Sequence, residues 1–198
     1  EVGEKLINQS DNKRVAEISK LVGEAYFQKS EYAKALKYFE MHRQNGGKMS
    51  QGDHYTMGYC YYKLKQYDKA IQSFNKITRG KGKNAQNAYY HLGDCYIQTG
   101  NKNEAMAAFR AAADIKNGDS KIVEDASFNY AKLNYEMANP YEDAIQALKR
   151  FLKEYPNSVN KGDANRYLAN LYITTKDYDN ALKSISQAGL NSPEMRTA

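Results

Sequence analysis

The chain has 198 residues, with 29 Lys plus Arg against 23 Asp plus Glu, a formal charge of +6 and 12% aromatic side chains. A mean hydropathy of −0.84 and the lack of any apolar run near the roughly 20 residues that cross a bilayer exclude a membrane-spanning helix. Carboxylates interleave with lysines almost throughout, which argues against the continuous basic face that nucleic-acid binding requires.

Three prolines, no Trp and 18 Tyr describe a helical chain with a particular use for tyrosine. Residues 1–10 read as the end of an earlier helix. Then comes the phrase Val22-Gly23-Glu24-Ala25-Tyr26, followed at fixed offsets by Tyr32, Ala35 and Phe39. The frame returns as Met57-Gly58-Tyr59-Cys60-Tyr61 with Tyr67, Ala70 and Phe74, and as Leu92-Gly93-Asp94-Cys95-Tyr96 with Lys102, Ala105 and Phe109. It recurs as Tyr135, Tyr141, Ala144 and Leu148, and again as Tyr172, Tyr178, Ala181 and Ile185. The alanines at 35, 70, 105, 144 and 181 are spaced by 35, 35, 39 and 37, and the tyrosines at 26, 61, 96, 135 and 172 keep the same register.

Within each unit, apolar residues recur at i, i+3, i+4 and i+7, so each unit is expected to be two amphipathic helices. Gly100-Asn101 and Asn139-Pro140 mark turns; Asn101 with Glu104, and Asn139 with Glu142, stand at capping-box spacing. Gly and Ala at matched positions let two helices approach, and a Tyr or Phe nearby fills the space beside them. A single hairpin cannot bury both of its faces, so the units are expected to stack as an all-α solenoid.

The five-fold frame of Leu-Gly, Tyr, Tyr, Ala, Phe and a closing Pro, present as Pro156 and Pro193, resembles the tetratricopeptide repeat. The resemblance implies a right-handed α-solenoid of antiparallel helix hairpins forming a single domain over 1–198. Its repeats would lie at about 12–46, 51–80, 84–117, 120–156 and 162–193. Unit four departs from the frame, because strict counting puts Lys132 where Gly is expected, with Ala131 beside it. Its first helix is therefore expected to be shifted or bulged. The stretch Phe151-Leu152-Lys153-Glu154-Tyr155-Pro156-Asn157-Ser158 is also similar to repeats of bacterial envelope lipoproteins, which tilts the expected location toward the periplasm or outer membrane.

In this family the first helix of each pair lines a concave groove, which the resemblance assigns to residues one step around from the core stripe. Those are Glu17, Lys20, Glu24 and Phe27; Gly52, Tyr55, Tyr59 and Tyr62; Asn87, Tyr90, Asp94 and Ile97; and Asp163, Arg166, Asn170 and Ile173. The central groove is then rich in tyrosine, a side chain that offers a peptide both area and a hydroxyl. The competing reading is that these rings only pack helix on helix, as Tyr26, Tyr61, Tyr96 and Tyr172 are expected to do. The positions of the carboxylate clamp known in chaperone-binding members read Lys20, Glu24, Thr56, Asn87 and His91, and only Lys20 agrees.

Nothing in the sequence assembles a catalytic centre. His42, His54 and His91 lack metal-ligand spacing and read as structural or solvated, and no cofactor or metal is expected. Cys60 and Cys95 occupy matched positions on adjacent units, too far apart for a disulfide, and are expected to be free and buried. Lys76, Arg79, Lys81 and Lys83 form a basic connector that reads as a solvated loop. It is the sole support for a nucleic-acid alternative. Residues 194–198 resemble the start of a further helix, so the chain is expected to be part of a longer repeat protein and, when isolated from it, to self-associate through an exposed end. The expected function is a noncatalytic scaffold with a protein or peptide partner. The alternative is a structural spacer or assembly module of a larger bacterial envelope protein, without a groove ligand.

Overall fold

The computed structural model describes residues 7, 11–77, 82–115, 117–137 and 143–189. Among them ten helices run in order: α1 Asn12–Gln28, α2 Tyr32–Gln44, α3 Gln51–Lys63, α4 Tyr67–Phe74, α5 Lys83–Gln98, α6 Lys102–Asp114, α7 Ser120–Met137, α8 Ala144–Glu154, α9 Lys161–Thr174 and α10 Tyr178–Gln187. No strand occurs among the described residues. The chain divides into two compact units, residues 1–101 with α1 to α5 and residues 102–198 with α6 to α10. In each unit every helix packs on the next, and α3 also touches α5, as α7 touches α9. This is the nearest-neighbour order of stacked helical hairpins.

The helices start and stop for local reasons. Asp11 caps α1 by accepting from the Arg14 N–H at 2.9 Å. Ser50 and Asp53 form a reciprocal capping box at the start of α3. The turn between paired helices is built alike four times, with residues 30, 65, 100 and 176 in the left-handed region at φ 59°, 58°, 78° and 60°. At each one, the next N–H reaches back to the carbonyl five residues earlier, as Gln66 does to Tyr61 and Asn101 to Tyr96. That bond ties up a carbonyl the helix end would leave open. Only Gly100 of the four is glycine. The Asn101 amide turns back to Thr99 Oγ1 at 3.0 Å, and Asn139-Pro140 lies outside the described residues.

The small residues of the frame are where backbones come close. A Cβ built on Gly58 would sit 2.7 Å from the Phe74 ring, and one on Gly23 would sit 3.1 Å from the Phe39 ring. Phe39 and Phe74 are fully enclosed. Cys60 and Cys95 are free and buried, as expected.

Unit four is shifted by one residue. Its buried positions Ala126, Tyr130, Ala131 and Asn134 stand 38 residues before Ala164, Leu168, Ala169 and Tyr172, whereas the tyrosine markers 135 and 172 are 37 apart. Ala131 therefore occupies the small-residue slot. Lys132 turns outward toward Glu136 at 3.8 Å. Asn134, its amide donating to the Tyr130 carbonyl at 2.8 Å, takes the place that strict counting gives to Tyr135. The assignment of Tyr26, Tyr61 and Tyr96 to the core is corrected in degree, since all three are only half-buried while Tyr172 is enclosed. The Tyr26 and Tyr61 rings pack against the core from its edge. Apart from Ile7, residues 1–10, together with Tyr141, Pro193 and 194–198, lie outside the described residues.

Candidate functional site

The first unit places three of the predicted tyrosines on α3 and the fourth, Tyr90, on α5. Tyr55, Tyr59 and Tyr62 lie along α3 at i, i+4 and i+7, with Tyr59 6.2 Å from each of the other two ring centres. Phe27 meets Tyr59 edge-on at 5.9 Å, and Tyr32 does so at 6.1 Å. The organising residue is His91 of α5. Its ring lies 6.1 Å from Tyr55, 5.2 Å from Tyr59, 5.1 Å from Tyr62, 5.7 Å from Phe74 and 5.8 Å from Tyr90. Burial in this shell, helped by the charge of Lys63, pulls the imidazole pKa down to about 4. Its buried Nδ1 has no hydrogen-bond partner and lies 4.0 Å from Asp94 Oδ2.

The tyrosines differ in how they are held. Tyr55 is the most enclosed. It packs on Phe74 at 5.9 Å, and burial and the neighbouring Tyr59 push its hydroxyl up to about 12 against a hydrogen bond with Asn87. Tyr62 donates to Asp94 Oδ2 at 3.3 Å, and burial with that carboxylate raises its pKa to about 12. Lys63 lies over the Tyr59 ring at 5.9 Å. Among the polar residues, Lys20 is committed within the fold, its ammonium 2.9 Å from Asp53 Oδ1. Burial would raise the Asp53 carboxyl, but Lys20 and Ser50 together hold it below its ordinary value. Glu24 is exposed beside this pair.

The second unit holds the other predicted residues. Arg166 pairs with Asp163 at 2.8 Å and covers the Tyr167 ring at 5.8 Å. The Asn170 amide donates to the Tyr135 hydroxyl at 3.3 Å. Around them is an aromatic group that strict counting hid, with Tyr167 stacked on Tyr135 at 4.7 Å and on Phe128 at 6.4 Å. The one-residue shift moves Phe128 and Tyr135 onto the positions held by Tyr55 and Tyr62 in the second repeat. His91 and Tyr167 are equivalent too, each standing two residues before the small residue of its frame. In repeats three and five, that residue nests against aromatic rings of the repeat before it. The sequence reading takes His91 as structural or solvated and assigns Tyr167 no role. The 39-residue spacing was the available signal.

A concavity of about 550 Å³ also opens in the second unit, with Arg110 and Arg150 over the Tyr130 ring at 5.8 and 5.9 Å. His42 is structural, its Nδ1 2.8 Å from the Ala16 carbonyl. His54 is half-buried, and burial with the charge of Lys76 lowers its pKa. Among the described residues no group of His, Cys, Asp and Glu is arranged to hold a metal. Lys76 and Lys83 are exposed, and Arg79 and Lys81 of the basic connector lie outside the described residues.

Residues 1–77 match the family described as anaphase-promoting complex, cyclosome, subunit 3. Two tetratricopeptide-repeat families match residues 86–119 and 125–158. No curated protein matches the chain. Among solved structures, YrrB, described as a TPR protein with an unusual peptide-binding site, is 17% identical over 95% of this chain and 91% of its own, with a TM-score of 0.67. A MamA protein is 18% identical over 88% and 90%, with a TM-score of 0.65. MamA from Desulfovibrio magneticus RS-1 is 16% identical over 88% and 93%, with a TM-score of 0.61. At such identities the likeness is one of fold, and it agrees with the hairpin order and the repeated turn. The repeated frame and the family matches together establish that this chain belongs to the tetratricopeptide-repeat family.

Proposed function

We propose that the chain is a noncatalytic scaffold that takes up a peptide or protein segment against the tyrosine row of repeats one to three. The observation that carries this reading is the convergence of Tyr59, Tyr62 and Tyr90 on His91, with Asp94 beside the Tyr62 hydroxyl. Half-buried rings are already ordered, so binding would cost little side-chain entropy, and their outer edges would give a partner apolar area and hydroxyls. The likeness in fold to YrrB, described as a TPR protein with an unusual peptide-binding site, supports this reading.

The test is crosslinking with mass spectrometry of the chain against a variant carrying Tyr59→Ala, Tyr62→Ala and Tyr90→Ala, with circular dichroism confirming that both are helical. Loss of a specific partner in the variant alone is expected. Identical partner sets would refute the groove reading. The second reading, a structural spacer without a groove ligand, is favoured by Tyr55, whose enclosed ring and bond to Asn87 serve packing. It predicts that unchanged partner set.

A further inference from the structure

Two arginines from different helices converge on one ring in the second unit. Arg110 of α6 and Arg150 of α8 both lie over Tyr130 of α7, at 5.8 and 5.9 Å from its centre. The ring is 4% exposed, while both arginines reach solvent. All three line the cavity of about 550 Å³, together with the half-buried Ala113, Val123 and Tyr155.

The repeat itself does not call for this pair. Counting from the alanine markers, the positions of Arg110 and Arg150 hold Glu40 and Lys76 where repeats one and two join. They hold Asn75 and Ala111 at the next junction, and Lys149 and Gln187 at the last. Two arginines meet only between repeats three and four. One cation over a ring is accounted for by its attraction to the ring face, about 0.5–1 kcal/mol at an exposed site. A second guanidinium beside the first adds repulsion between like charges. Among the described residues Arg110 makes no ion pair, although Asp114 lines the same cavity one helical turn further along α6.

The charge and size of the cavity define its ligand. A carboxylate carries one charge and is matched by a single guanidinium fork, whereas a phosphate monoester carries nearly two at neutral pH and has oxygens for a fork from each arginine. Phosphate alone would fill only a small part of the space, which is of the size that holds an organic ligand. We propose that this cavity binds a phosphate monoester on an apolar or aromatic body, its phosphate between Arg110 and Arg150 and its body against Ala113, Val123 and Tyr155. Asp114 and Glu154, which also line the cavity, oppose the anion and limit its affinity. The site lies within the second unit and uses no residue of the tyrosine row, so its failure would leave the peptide reading untouched.

Isothermal titration calorimetry of the whole chain with phenyl phosphate tests the proposal, with inorganic phosphate and benzoate for comparison. Phenyl phosphate is expected to bind saturably, and the other two about ten-fold more weakly or worse. Arg110→Gln and Arg150→Gln, checked by circular dichroism, are each expected to weaken phenyl phosphate by about ten-fold. Asp114→Asn is expected to strengthen it. A phosphotyrosine peptide that binds more tightly than phenyl phosphate would assign the ester to a partner protein, and one that binds equally or more weakly would assign it to a small molecule. Lack of saturable phenyl phosphate binding would overturn the proposal, as would benzoate binding equally well. So would arginine variants with unchanged affinity, which would leave the two guanidiniums as a cover for Tyr130.

Discussion

His91 carries no charge at neutral pH, because five aromatic rings keep water from its imidazole and Lys63 stands nearby. An unfolded chain titrates this group near its ordinary 6.5, so as pH falls the unfolded state takes up the proton first. Its contribution is therefore complete above 6.5 and is lost as pH falls toward about 4, amounting to about 3 kcal/mol at roughly 1.4 kcal/mol per unit. Urea unfolding at several pH values should show that slope, and His91→Gln should flatten it. Asp53 acts lower on the scale, since its folded pKa is depressed below 3.8. Its contribution holds above that value and is lost as pH falls below it, so Asp53→Asn should remove only the most acidic part of the curve. Burial pushes the Cys60 and Cys95 thiols up to about 12. Neither should react with a thiol reagent at neutral pH until the chain unfolds, and a fast reaction in the folded state would contradict the packing.

At the scale of the element, the four matched turns differ in what they cost. A left-handed residue other than glycine carries about 1 kcal/mol of strain, while glycine adds entropy to the unfolded chain that offsets much of it. Lys65→Gly is therefore expected to change stability by less than about 1 kcal/mol, toward stabilisation, as measured by urea titration. The close helix crossings respond in the other direction. Alanine at Gly58 would overlap the enclosed Phe74 ring and should destabilise by about 1–3 kcal/mol, as overpacking does. At Gly23 the Phe39 ring need yield by only a few tenths of an ångström. The gain of about 1 kcal/mol in helix propensity should bring Gly23→Ala near neutral. Equal effects at the two sites would show that the distances to the rings do not govern the response.

For the whole molecule, stability should fall toward the last hairpin. A repeat array is held by nearest neighbours, and α10 buries only Ala181 and Ser184 while Leu182 and Tyr178 stay in water. Hydrogen exchange read by mass spectrometry should find α10 exchanging faster than α2, whose Ala35, Leu36, Tyr38, Phe39 and His42 are all enclosed. A ligand on the tyrosine row should slow exchange in α3 and α5 and leave α10 unchanged.

Much of this architecture was legible because a solenoid repeats its local solution. The apolar period marked the helices, the Gly and Ala positions marked their crossings, and the matched cysteines foretold two free, buried thiols. Other features were invisible to counting. The left-handed turns at Ser30, Lys65 and Lys176 carry no glycine to betray them, and the shift in unit four depends on Ala131, a one-atom side chain, displacing Lys132 from a crowded crossing. Lys20 pairs with Asp53, which is 33 residues away in sequence, and no local pattern announces that partner. The sequence by itself determined that this protein is a stack of helical hairpins, because periodicity and residue size are properties of each short segment. Only the tertiary structure decided which rings surround His91 and which charges are consumed in pairs. Those depend on distances between segments far apart in the chain, and the pattern within any one segment does not contain them.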